Sequence, residues 1–369
     1  MSIIIFLIIL SALVIVHEFG HFIVAKRFGI RVDEFGLGFP PLAKKLFVWR
    51  NTQFTLNWLP FGGFVKIFGE NPEESNQLGG STSKYLEVEP PSDSFQSKHR
   101  GIQASVLVAG VVGNFLFAWL LISLGFMMGL PALANLSLPV ENSHTVITTV
   151  LPDSPAAIAG LKSGDIITSL SRGESYSELT PESASLFIAE SSEPLTFIVE
   201  RGENISTKVV APETGIVTDR LAVGISMDVI GIVKLSPFGA VWHGLKTTSE
   251  LTLLTGQALI TFFTQALTGR ADFSSVTGPV GIVGMVGDAR ELGFTYLLTF
   301  TALISINLAI INLLPFPALD GGRLFFVLIE AVTRRRIPSK VFNIVNTAGF
   351  ALLLLLMLLV TLQDLRNIF

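Results

Sequence analysis

The sequence contains no cysteine. Disulfides are therefore excluded, and so is a metal site built from thiolates; zinc would have to be held by histidine nitrogen and carboxylate oxygen. Charge is scarce: Asp, Glu, Lys and Arg make up 15% of the chain against 50% for hydrophobic residues, and the net charge is −4. No long basic block occurs, which argues against nucleic-acid binding. The first apolar run has no basic segment ahead of it and no convincing small-residue cleavage site. It reads as a retained span rather than a removable signal. A mean hydropathy of +0.61 over 369 residues defines a polytopic membrane protein with room for a soluble module.

Four apolar stretches are long enough to cross a bilayer. The first covers residues 3–25, roughly 34 Å as a helix. The others are residues 102–130, 294–329 and 341–362. The third is too long for one simple helix and is interrupted by Pro315, Pro317, Gly321 and Gly322. A fifth stretch, residues 251–267, carries Thr and Gln throughout and reads as an interfacial helix. Lys26, Arg27, Arg31, Lys44, Lys45 and Arg50 follow the first span, Lys98 and Arg100 precede the second, and Arg334, Arg335, Arg336 and Lys340 separate the third from the fourth. Both loops are expected on the cytoplasmic side, and residues 131–290 outside. Residues 53–68 read as two short strands around Pro60-Phe61-Gly62-Gly63, either a plain surface hairpin or an open edge beside the active site. Residues 71–98, rich in Ser, Pro and Glu, read as a mobile cytoplasmic loop.

Inside the first apolar run stands His17-Glu18-Phe19-Gly20-His21. On a helix His17 and His21 are one turn apart on one face, so both imidazoles can reach one metal. Glu18 can serve as general base toward a metal-activated water. Ionisable groups at membrane depth are costly and call for a partner. A catalytic zinc site takes three protein ligands. The remaining acidic residue in an apolar region is Asp320, in a stretch where Pro315, Pro317, Gly321 and Gly322 break the helix and expose backbone. Such irregularity is tolerated in a membrane where it is buried in protein or lines a cavity. Asp320 as the third ligand accounts for both oddities; the competing assignment is a helix cap near Gly321.

His17-Glu18-x-x-His21, together with Asn312-x-x-Pro315-x-Pro317-x-Leu319-Asp320-Gly321, resembles the site-2 protease family of intramembrane zinc metalloproteases. The likeness is to the bacterial branch that carries PDZ domains and processes anti-sigma factors and signal-peptide remnants. It extends over Glu34-Phe35-Gly36-Leu37-Gly38-Phe39-Pro40, residues 59–66, Ala109-Gly110 through Asn114-Phe115, and Gly278-Pro279-Val280-Gly281-Ile282. Two departures occur: Val111 stands where the branch has proline, and Gly38-Phe39-Pro40 lacks a second glycine. The resemblance implies Zn2+ held by His17, His21 and Asp320, with Glu18 as catalytic base. It implies that Asn307, Asn312 and Pro315 hold substrate backbone, for which a side-chain amide offers both donor and acceptor. The Asn residues also suit plain interhelical hydrogen bonding.

Residues 146–170 carry a strand, a Pro152-Asp153-Ser154-Pro155 turn, a short helix, Gly160-Leu161-Lys162-Ser163-Gly164-Asp165 and another strand, and resemble a bacterial PDZ domain. Residues 195–201 and 205–210 fit its later strands. Val223-Gly224-Ile225 fits its peptide-end loop. Size filtering of substrates is the alternative role. Gly278, Gly281, Gly284 and Gly287 recur every third residue without a following Lys-Ser/Thr, so they indicate close packing near the third span rather than a phosphate loop.

The expected architecture is a polytopic α-helical membrane protein with about four transmembrane helices, a membrane-associated β-hairpin and one inserted α+β PDZ domain. Residues 1–130 are expected to hold the first two spans and hairpin, 141–228 an extracytoplasmic PDZ domain, and 229–369 the interfacial helix and last spans. The expected activity is intramembrane zinc endopeptidase, acting on single-pass membrane proteins or signal-peptide remnants in the bacterial inner membrane. A metal-ion transporter also places His and Asp in spans, and an inactive PDZ scaffold would bind membrane proteins without cutting them. The transporter explains neither Glu18 between two ligands nor the PDZ-like module, and the intact HExxH with Asp320 argues against the scaffold.

Overall fold

The computed structural model describes residues 1–70, 91–133, 141–176, 179–202, 204–217, 220–270 and 277–368. The loop expected over 71–98 falls largely outside them. Two compact units result. One comprises Met1–Leu121, Leu245–Gly287 and Phe300–Phe369; the other comprises Ile122–Gly244 and Asp288–Thr299.

Four helices are long and apolar enough to cross a membrane: α1 (Ser2–Arg27), α2 (Arg100–Met128), α7 (Phe294–Leu313) and α9 (Ser339–Ile368). α1 ends on Lys26 and Arg27, cations that suit the negative end of a helix. α1 and α2 approach closely at Gly20, where an added Cβ would lie 2.2 Å from the Ala109 carbonyl oxygen. Small residues at such crossings let backbones meet where no hydrophobic effect drives association.

The interruption of the third apolar region is sharper than its sequence suggests. α7 stops at Leu313 and α8 (Asp320–Thr333) starts at Asp320. The prolines make the break, having no N–H to donate. Gly321 and Gly322 are not part of it; they lie in the first turn of α8, where the preceding loop folds back. A Cβ on Gly321 would lie 2.2 Å from the Leu314 oxygen, and one on Gly322 2.2 Å from the Phe316 oxygen. The Ala318 N–H, freed by the turn, donates to Asn346 Oδ1 on α9 at 3.2 Å.

The two short strands expected within 53–68 do not pair with each other: residues 53–56 and 63–66 both pair with 34–37, and Pro60-Phe61-Gly62-Gly63 lies inside one continuous strand. β1 (Val32–Trp49) pairs with β2 (Thr52–Ile67), and the register shifts repeatedly. Residues 34–37 sit between 53–56 on one side and 63–66 on the other. Residues 63–66 thus form an outer strand of this sheet. The root of the hairpin packs on α1, α2 and α8 through Phe22, Val32, Phe35, Ile67, Val106 and Val327.

The fifth apolar stretch belongs to a longer helix, α5 (Pro237–Leu267), which is not among the four candidate spans. The glycine repeat opens α6 (Pro279–Glu291). Its packing partner lies on the fourth span: the Gly278 and Gly281 N–H groups donate to Asp364 at 3.1 and 2.8 Å. Gly284 has open space around it.

The second unit is β-rich. One sheet has the order β3-β11-β4-β5-β7-β8, with β6 paired to β5. The strands are β3 (Leu130–Leu133), β4 (Glu141–Val150), β5 (Ile166–Arg172), β6 (Ser175–Tyr176), β7 (Leu195–Arg201), β8 (Asn204–Val210) and β11 (Ile225–Val233). β9 (Glu213–Val217) and β10 (Arg220–Ala222) form a separate pair. The helices α3 (Pro155–Ile158) and α4 (Pro181–Ala189) are N-capped by Ser154 and Thr180, each accepting a backbone N–H. Ile147, Leu161, Ile167, Leu170, Phe197 and Val199 form the core. The fully buried Asp165 accepts from Arg201 Nε at 2.5 Å and Nη2 at 2.7 Å, and from the Lys162 N–H. That hydrogen bonding holds Arg201 above its ordinary pKa.

Candidate metal centre

α1 places His17 and His21 on one face, both buried against α2. The loop after α7 delivers Asp320 to the same point. Asp320 Oδ2 lies 2.8 Å from His17 Nε2 and 3.1 Å from His21 Nε2, and the two nitrogens are 3.2 Å apart. A tetrahedral zinc with bonds of about 2.0–2.1 Å sets its ligand atoms roughly 3.3 Å apart. The donor set of two imidazoles and one carboxylate fits that ion in both chemistry and spacing. Among the described residues, this is the group that could hold a metal.

The far ring nitrogens are also held. His21 Nδ1 donates to the Val106 carbonyl at 2.7 Å, leaving Nε2 as the nitrogen that could take a metal. His17 Nδ1 lies 3.2 Å from the Asn114 amide nitrogen, and in that orientation Asn114 Oδ1 is buried without a partner. Turning the amide lets Oδ1 accept from the Nδ1–H that a ligating His17 must carry. Asn114 is in turn placed by its helix, whose carbonyl there accepts from Ser305 Oγ at 2.8 Å. Both orienting contacts come from α2. Sequence reasoning noted Asn114 only as part of a motif; its contact with a candidate metal-binding histidine appears only in the fold.

Glu18 points to a different wall of the site, where its Oε2 accepts the Val65 N–H at 3.1 Å. Val65 lies on the outer edge of β2. A cavity of about 470 Å³ is lined by Glu18, His21 and Asp320, by residues 64–67 of that edge, and by Glu70, Ala318 and Arg323. The arrangement sets a carboxylate, two of the three groups that could hold a metal, and a strand edge around one space. The structure thus brings together His17, Glu18, His21 and Asp320. It places Asn307, exposed, and Asn312, half-buried, on α7, with exposed Pro315 just beyond; none of the three lines the cavity. Val223, Gly224 and Ile225 lie in the second unit: the Val223 and Gly224 carbonyls accept from Ala156 and Leu151, and Gly224 has φ +83°.

Membrane-crossing helices around an HExxH helix and a distant aspartate define a membrane-embedded zinc metalloprotease. Residues 5–356 match peptidase family M50, and the chain belongs to that family. It is 37% identical over 370 residues to a Clostridium perfringens protein, covering 99% of this chain and 98% of the relative. It is 31% identical over 440 residues to zinc metalloprotease RasP of Geobacillus kaustophilus, covering 100% and 98%. It is 29% identical over 438 residues to the regulator of sigma-W protease RasP of Bacillus subtilis, covering 100% and 99%. The chain is accordingly a zinc-dependent intramembrane protease.

Proposed function

We propose that His17, His21 and Asp320 hold the zinc and that Glu18 handles the proton in hydrolysis of peptide bonds within single-pass membrane segments. The observation that carries this is the convergence of Nε2, Nε2 and Oδ2 within 2.8–3.2 Å beside a cavity that Glu18, His21 and Asp320 line. Zinc, when bound, supplies a Lewis acid and activates water at neutral pH. Glu18 takes the proton from that water and passes it to the leaving amine. The outer edge of residues 63–67 is the side on which an unwound substrate segment would add as a strand. Asn307 and Asn312, reachable on α7, offer amides to the same backbone.

The second unit is a PDZ domain in this reading. Its support is the sheet order and the capped helices between strands, with Val223-Gly224-Ile225 leading into β11. Its role is to screen substrates by the bulk of their outer domains. The loops carrying Lys44, Lys45 and Arg334–Arg336 face the cytoplasm, the PDZ domain faces outward, and the protein resides in the bacterial inner membrane. Topology reporters fused at Lys45 and at Gly202 are expected to report cytoplasmic and external locations; an external signal at Lys45 would overturn the assignment.

The test of the whole reading is co-expression with a tagged single-pass substrate, such as a signal-peptide remnant, followed by mass spectrometry of the fragments. A cut inside the apolar segment is expected, and it should vanish in Asp320→Ala together with bound zinc. Deleting 141–227 should speed cutting of substrates that keep a folded outer domain. A cut that persists in Asp320→Ala would assign the cleavage to another protease.

A further inference from the structure

One ion pair at the cavity wall takes no part in the chemistry above. Arg323 Nη1 donates to Glu70 Oε1, and both residues line the cavity. The side chains are only 27% and 17% exposed. Glu70 sits just past the end of β2, beyond Gly69, and so terminates the edge formed by residues 63–67. Arg323 sits on α8 one helical turn after Asp320. The pair therefore spans from the strand edge to the helix that carries a proposed zinc ligand.

A buried ion pair is a poor source of net stability, because desolvation offsets attraction. What it does supply is direction. The apolar contacts of Ile67 and Val327 at the hairpin root tolerate small slides, whereas a charge-assisted hydrogen bond fixes distance and angle. α8 has a second ion pair, Arg100 Nη2 to Glu330 Oε2 at 2.7 Å, near its other end and away from the cavity. α8 is thus clipped to the hairpin at its first turn and to α2 at its last.

We propose that the Glu70–Arg323 pair is a strut that sets the gap between the strand edge and the metal triad, making Arg323 a positioning residue for the scissile segment. The inference rests on the reading that this edge holds the unwound substrate. A misplacement of about 1 Å at such a gap is enough to cost on the order of 100-fold in rate.

The experiment uses the full-length protein in detergent or vesicles, with a single-pass substrate and a photo-crosslinking residue at position 66. Compared are Arg323→Met/Glu70→Gln, Arg323→Lys and Glu330→Gln. The double variant leaves no lone buried charge. It is expected to hold zinc normally, to lose substrate cross-linking and to cleave roughly 10–100-fold less efficiently. Arg323→Lys, which keeps the charge, should recover most of the efficiency, and Glu330→Gln should cleave as the parent does. A double variant that cross-links and cleaves like the parent would show that the pair only neutralises charge, and the strut is overturned. Loss of zinc in the double variant would overturn it too, since the pair would then serve the metal and not the gap. If the parent cleaves but never cross-links from position 66, the edge reading fails first and takes the strut with it.

Discussion

Glu18→Gln is expected to abolish cleavage while leaving zinc bound. The substitution keeps size and shape. Glutamine can still accept the Val65 N–H that Glu18 Oε2 accepts at 3.1 Å, so the hairpin edge has no reason to move. Glu18 is not among the three groups that converge to hold a metal, so the zinc content should stay at the parent value. What is lost is a site for a proton. An amide oxygen is too weak a base to take one from water, and an amide cannot return it to the leaving amine. General acid–base catalysis contributes about 10²–10⁴-fold; here one group serves both directions, so the upper end is expected. The measurement is the cleavage rate of a tagged single-pass substrate beside elemental analysis of the same preparation. A rate within tenfold of the parent would remove Glu18 from the chemistry. Zinc lost along with activity would instead make it a ligand or a fold determinant.

The residues that make this prediction possible were the most legible in the sequence, for a physical reason. His17, Glu18, His21 and Asp320 stand in runs of Ile, Leu, Val, Phe and Ala, where an ionisable group needs an explanation. The four spans were legible by length, and the break at Pro315 and Pro317 by the missing N–H groups. The supporting residues were not. Asn114 reads in sequence as an ordinary interhelical amide, and its ring partner is 97 residues away. Glu70 and Arg323 look like solvated charges at element ends; only the fold brings them together across 253 residues. β1 was missed because Pro40-Pro41 and Lys44-Lys45 interrupt any alternation, and its pairing is made partly with residues 63–67 rather than with its nearest neighbour. The glycine repeat was read as packing near the third span, but Gly278 and Gly281 bond Asp364 of the fourth span, 86 residues from Gly278, and Gly284 faces open space; spacing alone does not name that partner.

Gly110→Ala is expected to lower zinc affinity by about 100-fold, although Gly110 donates no ligand. Outer contacts that orient zinc ligands are commonly worth 10–100-fold, and this contact is more intimate than most. A Cβ at Gly110 would lie 2.5 Å from His21 Nε2, 2.6 Å from His17 Cε1 and 2.8 Å from His17 Nε2. Two of those three are the atoms that would bind the metal. The rings cannot simply retreat: His21 is tied to the Val106 carbonyl and His17 to Asn114, both on the same helix as the new methyl group. Nor can the helices part cheaply, since Gly20 holds α1 against Ala109 of α2. α2 itself gains from the change, because alanine favours a helix over glycine by about 1 kcal/mol. The expected outcome is therefore a folded, fully helical protein that fails to hold zinc, not an unfolded one. Circular dichroism would follow the helices and titration against buffered zinc the affinity, with exposed Val112→Ala on the same helix as control. Parent-like zinc affinity in Gly110→Ala would mean that the two histidines ligate from positions other than those the α1–α2 contact imposes. The metal site is in this sense a property of the helix crossing: the HExxH face can close on Asp320 because the facing helix carries a glycine, and no Cβ, at position 110.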